Sequence, residues 1–511
     1  MGGNQSNLIP MPAGFDYMSV TFRYSDRIRV IYATDQEINI IRDVILQHWK
    51  KGIQSEEAKL GCGYEFKVHG NPFCEFSSAE QAMECRKFTN QLLFRLHNQG
   101  LKLLASSDLS QTVDLASWLF HREQTQIAQF PFACIGVSGW DKLQFIDFPP
   151  AFNDFFKDVV AKNWPQTIQD VKLKGDILEI KLKGTPWCSM GGPENIQSKT
   201  LVKALINELG VRQWFLYGSS NLRGNADTLF FMYDPAAPSL SFSFVGFVMS
   251  LNRNDRLRMI DAPKDATDSV RGAIAQFWSR GIQEEKQKFN AYEFKLKGTP
   301  WWADGEQAVD TRFLMCKVFE ALLRIGWKVK ISIDLTRKLN DKSVLPFQKC
   351  EPSSAPVFCI SLNWTDKIRF INAPPDLLAA LVAEVKRVWL FGVSRERLYG
   401  ASTELKLNEN PWSYGFKGHD GAHGRVMLSY LCKLCANMGW YLILSADVSA
   451  KWVHQDKGPD YPIDVHSWWF MYMGHPSMAP IAPAFLPPPQ YGMEGQLPTA
   501  FGAGLPPPPY S

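Results

Sequence analysis

The chain lacks any run of about 18 apolar residues, the least that a membrane-spanning helix needs. Its opening residues, Met1-Gly2-Gly3-Asn4-Gln5-Ser6, carry neither a basic segment nor an apolar stretch, so they do not read as a secretory signal. Histidine is scarce, with 9 in 511 residues. The ten cysteines fall at unmatched places in a chain that otherwise repeats, which excludes a shared disulfide framework and leads to the expectation of a reduced, intracellular protein. Charge of one sign is also missing. The 55 Lys and Arg nearly cancel 51 Asp and Glu, and a net charge of +4 gives no whole-chain case for nucleic acid. No Gly-rich phosphate loop, Ser-centred elbow or carboxylate pair recurs at catalytic spacing, so no catalytic residue, metal ligand or cofactor is assigned.

One phrase, by contrast, is written four times. It runs Tyr64-Glu65-Phe66-Lys67-Val68-His69-Gly70-Asn71-Pro72-Phe73, then Leu178 to Trp187, Tyr292 to Trp301 and Thr403 to Trp412. Its prolines, Pro72, Pro186, Pro300 and Pro411, are 114, 114 and 111 residues apart by subtraction. Trp187, Trp301 and Trp412 follow three of them, and Phe73 follows the first. Other landmarks keep the register. Asp26, Asp141, Asp255 and Asp366 each open a run such as Arg27-Ile28-Arg29-Val30-Ile31, alternating with the period of a half-buried strand. Apolar residues at helical spacing follow, as in Leu377, Leu378, Leu381, Val382, Val385 and Val388. A second helix, Val309 to Ile325 in the third copy, closes at Gly326, matched by Gly100 and Gly439 as C-caps. Strands such as Trp327 to Leu335 and Ser117 to Phe120 complete the unit.

The unit reads as β-β-α-β-α-β-β, an α+β fold with two helices on a mostly antiparallel sheet, in four tandem repeats of about 110 residues. The expected boundaries are a flexible N-terminus over 1–14, repeats over 15–128, 129–236, 240–352 and 355–473, and a disordered Pro-rich tail over 474–511. Each repeat is long enough to bury its own core, unlike a solenoid unit, and packing in pairs is expected.

The four copies act as a filter, because a residue type found in all of them serves the fold. Asp108, Asp334 and Asp447 end a Ser-x-Asp-Leu-like strand, and Asn221 replaces them in copy two. Asn can make the same Asx turn but cannot be a base, so these positions are structural. Arg86, Arg312 and Arg425, with Lys199 in copy two, are expected to form buried salt bridges to Glu65, Glu293, Glu404 and Glu179. Lys67, Lys181, Lys295 and Lys406 alternate with apolar residues and belong to a solvated sheet face, rather than to a stacking platform for single-stranded nucleic acid. An insertion unique to copy four, Tyr414 to Gly424, holds His419 and His423, with Cys432, Cys435 and His454 downstream. Cys432 and Cys435 sit on one helix face, where small apolar residues are expected rather than zinc ligands. This insertion is the place where an enzyme or small-ligand site would hide.

The ends escape the repeat. Met1-Gly2-x-x-x-Ser6 has the form of an N-myristoylation acceptor at Gly2. One acyl chain holds a membrane only marginally, so a second attachment is required. Leu486-Pro487-Pro488-Pro489-Gln490-Tyr491 and Leu505-Pro506-Pro507-Pro508-Pro509-Tyr510 both fit Leu-Pro-Pro-Pro-x-Tyr. A polyproline II segment loses little entropy on docking, and two linked copies gain avidity. These phrases resemble WW-domain ligands, and the tail resembles adaptors that recruit WW-domain proteins, including HECT-type ubiquitin ligases. That resemblance implies roles for Pro488, Pro489, Tyr491, Pro507, Pro508 and Tyr510 in WW-domain binding. The repeat phrase is similar to repeat domains of eukaryotic proteins and implies no activity. The expected function is a non-enzymatic, cytoplasmic, peripheral-membrane adaptor, with WW-domain proteins and a membrane surface as partners.

Overall fold

The computed structural model describes residues 9–474 apart from 60–62, 75–76, 112–113, 124–128, 190–191, 224–225, 237–243, 337–341, 414–418 and 455–460. Gly2 and both Pro-Pro-x-Tyr phrases lie outside the described residues. The described chain forms four six-stranded sheets and eight α-helices, two per unit. In the first unit the strands are Tyr17–Arg23, Arg27–Ile31, Ile53–Lys59, Gly63–Val68, Leu101–Ser107 and Asp114–Arg122, paired antiparallel throughout. Their order in space is third, fourth, second, first, sixth, fifth, and the other three sheets repeat it. Helices α1 (Asp35–His48), α3 (Phe152–Asn163), α5 (Lys264–Phe277) and α7 (Pro375–Val388) follow the second strands. Helices α2 (Ala79–Asn98), α4 (Pro193–Val211), α6 (Gly305–Arg324) and α8 (His419–Asn437) follow the fourth. Helix α1 starts at a capping box in which Thr34 and Glu37 satisfy each other's backbone N–H groups.

The α+β class and the fourfold repeat therefore hold, but the unit contains one strand more than its sequence suggests. The additional element is the third strand, Ile53–Lys59, Ile168–Lys174, Ile282–Lys288 or Val393–Tyr399. It lies at the sheet edge, largely exposed on both faces, so it has no apolar alternation to betray it. Its charges also discourage pairing with a second chain. In the third unit the fifth strand stops at Val329 instead of reaching Leu335. Ile331, Ile333 and Leu335 turn away and pack into the core of the second unit.

The units do not pack in pairs. Every residue of the first strands Tyr17–Arg23 and Val357–Asn363 is buried, on both faces. Met18, Val20 and Phe22 belong to the first unit's own core, while Tyr17 joins a core built mainly by the fourth unit. Helix α2 covers the first strand of unit two, α4 that of unit three, α6 that of unit four, and α8 returns to that of unit one. Head-to-tail contacts that come back to their start make a closed ring. All four cores are shared: each joins one unit's helices to strand residues of the next. In a ring of this kind equivalent points of the units lie on one face. Asp16, where the first strand begins, and Gly474, where the last strand has ended, are therefore on the same face.

Inside each unit, tryptophan indoles fix the frame. Trp49, Trp164, Trp278 and Trp389 end the first helices and donate to the carbonyls of His69, Lys183, Lys297 and Asn408 at 2.9, 3.0, 3.0 and 3.0 Å. The Pro-Trp indoles of Trp187, Trp301 and Trp412 donate to the carbonyls that open the second strands, at Lys142, Arg256 and Lys367. Phe73 in unit one has no such donor. Trp301→Phe is expected to lose this hydrogen bond and part of the buried ring, costing about 1–3 kcal/mol. Trp301→Ala is expected to cost about 3–5 kcal/mol by leaving a cavity. Urea unfolding measures both, and equal losses would contradict the bond's assignment.

Candidate functional site

Chemistry-bearing side chains gather at the seams between units. Glu65, Glu179, Glu293 and Glu404 on the fourth strands are buried, each directly opposite Arg29, Gln144, Arg258 or Arg369 of the second strand. Glu65 accepts from Arg27 and Arg29, both at 2.6 Å, and Glu404 from Arg369 and Arg397, both at 2.8 Å. Burial pushes Glu65 up, but Arg29 and Arg27 together outweigh it and hold the carboxyl below its ordinary range. Glu293 is held down the same way by Arg258 and Arg256, and Glu179 by Gln144 and Lys174.

The second-helix cations do not pair with these glutamates inside their own unit, as the sequence suggested. They cross the seam. Arg86 donates to Gln144 at 2.7 Å, to the Val137 carbonyl at 2.7 Å and to Thr228 at 3.3 Å, all in unit two. Gly136 provides the space, since a Cβ there would lie 2.5 Å from the Arg86 side chain. Arg312 donates to Ser467 at 2.8 Å, to the Ser449 carbonyl at 2.9 Å and to the Asp464 carboxylate at 3.1 Å in unit four. Arg425 reaches the hydroxyls of Thr21 and Ser117 in unit one, closing the ring. Lys199 bonds back to the Asn195 carbonyl of its own helix, and Arg258 of unit three crosses instead, to the Asn195 side chain at 2.9 Å. The glutamates thus lie on a face that the preceding unit covers rather than on a solvated one.

The Ser-x-Asp-Leu ends lie at the seams as well. Asp108, Asn221 and Asp334 each accept the backbone N–H two residues on, at 3.2, 3.3 and 3.0 Å. Asp447 departs from the expected turn and pairs with Lys342 of unit three at 2.9 Å. Leu109, Leu222, Leu335 and Val448, one residue on, bury in the core of the preceding unit. At the seam between units two and three, buried Asp227 accepts from Ser219 at 2.6 Å and from the Asp334 N–H at 2.9 Å. Burial pushes Asp227 up to about 6 against both bonds. Between units four and one, the His466 N–H donates to the Asp108 carbonyl at 3.1 Å. Its ring lies 3.3 Å from the Ser445 hydroxyl, and burial pushes it down to about 4, with Asp447 opposing and Lys342 reinforcing.

The copy-four insertion lies partly outside the described residues. His423 is buried 4.9 Å from the Phe391 ring, between centroids, and is part of the packing. Cys432 and Cys435 are buried, and burial pushes both thiols up. Among the described residues no group of three His, Cys, Asp or Glu is placed to hold a metal. No helix among them is long and apolar enough to cross a membrane.

One cleft of about 810 Å³ opens at the seam between units one and two. Its walls are Phe94, Phe132, Phe148, Phe152, Trp214 and Tyr233. Neighbouring rings of the wall touch one another: Phe148 and Trp214 have centroids 5.1 Å apart, Trp214 and Tyr233 5.4 Å, and Phe94 and Phe132 6.3 Å. Its wall is specific to one copy. The residues that leave the second strands with positive φ are Tyr32, Asp147, Asp261 and Asn372, at 60, 62, 55 and 63°. The next residue is Ala33, Ala262 or Ala373 in three units and Phe148 in the second. The sequence signal was present as an Ala-to-Phe change at a matched position, but it was hidden among ordinary core aromatics.

Removing Arg312 strands the buried carboxylate of Asp464. Arg312→Met is expected to cost about 3–5 kcal/mol, and adding Asp464→Asn should restore part of it. Thermal unfolding of the two variants decides this; no recovery would break the pairing. The titrating pair at the seams has opposite signs. His466 falls from 6.5 to about 4 on folding, so its contribution is present above pH 6.5 and lost as pH falls towards 4. Asp227 rises from 3.8 to about 6, so its contribution is present below pH 3.8 and lost as pH rises through 6. Each amounts to roughly 1–3 kcal/mol. Between pH 4 and 6, His466→Gln is expected to become more stable on acidification and Asp227→Asn less stable. Chemical denaturation at several pH values would refute this if both variants show the same slope.

No curated protein and no solved structure matches the chain. One domain family matches it four times, over residues 16–121, 131–232, 246–348 and 356–471, the four spans that fold as the units of the ring. The chain therefore belongs to that family and carries four tandem copies of its domain.

Proposed function

We propose that the ring is a non-enzymatic scaffold whose tail recruits WW-domain proteins, with HECT-type ubiquitin ligases as the partner class. The observation that carries this reading is the pair of Leu-Pro-Pro-Pro-x-Tyr phrases ending at Tyr491 and Tyr510, 19 residues apart by subtraction. In each, Pro488 and Pro489 or Pro507 and Pro508 would fill an aromatic groove on the partner, and the tyrosine its adjoining pocket. Two ligands on one chain suit a partner with tandem WW domains, through effective concentration. The architecture is compatible, because the recurrent cations and carboxylates are committed to seams and leave the body as a rigid mount. Gly2 adds a membrane contact through an N-terminal acyl chain in this reading. The described residues end at Ile9 in unit one and Gly474 in unit four, which are neighbouring units, so in this reading the membrane contact and the recruiting tail are tethered to adjacent parts of the ring.

Tyr491→Ala with Tyr510→Ala is expected to abolish capture by immobilised tandem WW domains, and either change alone to weaken it at least tenfold. Undiminished capture by the double variant would remove the adaptor reading. Labelled myristate is expected on the wild type and not on Gly2→Ala, and its absence from both would remove the membrane half alone.

A further inference from the structure

The aromatic cleft between units one and two is an interaction surface that the scaffold reading does not use. Its chemistry is apolar and close to neutral. Asp147 accepts from Asn90 at 2.8 Å and Gln91 at 3.1 Å, and Asp176 is paired with Lys87 at 2.5 Å. Arg212 is paired with Glu208 at 3.1 Å and lies 3.9 Å over the Phe155 ring. The rim charges are paired with one another, so no unopposed charge of one sign marks the cleft for an ionic ligand. Phe132 and Trp214 are buried and Phe94, Phe148, Phe152 and Tyr233 half-buried, so the cleft offers an apolar aromatic wall of the kind on which grooves take polyproline II segments. This chain supplies such a segment itself. Residues 474–511 hold one charged side chain, Glu494, and two runs of consecutive prolines.

Chain length favours the second of the two runs. The last strand of unit four, Asp464–Tyr472, ends at the position equivalent to the end of Thr228–Tyr233 in unit two. Tyr233 and Trp214 line the cleft there, and Tyr472 pairs with Trp440 in the same way as Tyr233 with Trp214. Pseudo-symmetry thus puts the tail's exit and the cleft on one face of the ring, with unit one between them. A unit of this length has a radius of gyration of about 13 Å, so the path across it is roughly 35–50 Å. Leu486 is 12 residues beyond Gly474 by subtraction, and at about 3.1 Å per residue in polyproline II it reaches ~37 Å, the near end of that range with no slack for a turn. Leu505 is 31 residues beyond, reaching ~96 Å.

We propose that the cleft is a polyproline-binding site occupied in cis by the second phrase, Leu505 to Tyr510, leaving the first phrase, Leu486 to Tyr491, free. A tether of this length supplies an effective concentration on the order of millimolar. A weak intrinsic affinity then suffices for high occupancy, and the second phrase becomes available only when a competitor displaces it. The proposal does not depend on WW-domain recruitment.

The test titrates a fluorescein-labelled peptide of residues 503–511 into the full-length chain and reads anisotropy. The wild type is expected to bind weakly, because its own tail competes. Replacing Pro506, Pro507, Pro508 and Pro509 by alanine in the full chain should tighten peptide binding at least about fivefold, as removal of the tethered competitor requires. Adding Phe148→Ala should abolish it. Three sibling units already carry alanine at that position, and an unchanged melting temperature would verify that the variant folds. Peptide binding that ignores all of these changes, or is absent from all three chains, overturns the proposal. A dimer seen by mass photometry in the wild type and lost in the tail variant also overturns it, because the tail would then occupy a second copy's cleft. No WW domain enters the experiment, so its failure and that of the scaffold reading are separable.

Discussion

An antiparallel sheet with helices on one face leaves its other face to water unless something covers it. Here the first strand, at the middle of each sheet, has no solvated face, and the second helix of the preceding unit provides the cover. That requirement determines the rest of the molecule. A unit standing alone would expose residues such as Tyr17, Cys134, Val248 and Cys359, all of which lie in a core built mainly by its neighbour. In a linear array the first unit would keep that face bare and the last would have a helix with nothing to cover. Closure removes both defects at once, which is why Phe15, Tyr17 and Tyr32 end up in one cluster with Tyr430 of the fourth unit.

The polar chemistry of the seams follows from the same constraint. The covered face carries a glutamate, so the charge must be matched inside the protein, and an unmatched buried carboxylate is costly. The matching is not made residue by residue. Where Arg86 enters from the helix, the strand residue is Gln144; where Lys199 turns back, Arg258 enters from the strand. These exchanges preserve a buried cation with satisfied hydrogen bonds at each of these seams while the sequence drifts. Side chains that look like catalytic candidates when viewed singly are accounted for by this exchange.

Most of the unit was legible because its elements carry period. Alternation in Arg27–Ile31 and its equivalents, helical spacing in α7 and the fourfold Pro-Trp phrase mark interior positions, and interior positions are where residue type is constrained. The third strand was illegible for the converse reason: Ile282–Lys288 is largely exposed on both faces, and only backbone pairing with the fourth strand makes it a strand. The ring was illegible too. Period two along Tyr17–Arg23 distinguishes two faces but not whether the more polar one meets water or another unit; Ser19, Thr21 and Arg23 are polar and buried. The partner of Arg86 could not be read because proximity in sequence favours its own unit, whereas its side chain crosses to Gln144, 58 residues on. The cleft left a trace in Phe148, seven residues past Asp141 where Ala33, Ala262 and Ala373 follow Asp26, Asp255 and Asp366, but nothing in that change alone distinguishes a cleft wall from a core aromatic.

A covalent ring of four similar units differs from a ring of four identical chains in one functional respect. In the latter, any change at one seam is made at all of them, and a site built by a single substitution appears four times. Joining the units in one chain releases each from its siblings. Unit two can replace the alanine of Ala33, Ala262 and Ala373 with Phe148 and open an aromatic cleft beside α2 while the corresponding residues elsewhere stay small. The frame tolerates this because the indole bonds from Trp164 and Trp187 hold unit two in the same register as the others. The asymmetry sets a stoichiometry: among the described residues the cleft walled by Phe148 is matched by one tail. A cleft and its ligand on a single chain can then compete with outside partners one for one, which a symmetric assembly with four clefts and four tails could not do without cross-linking its own copies.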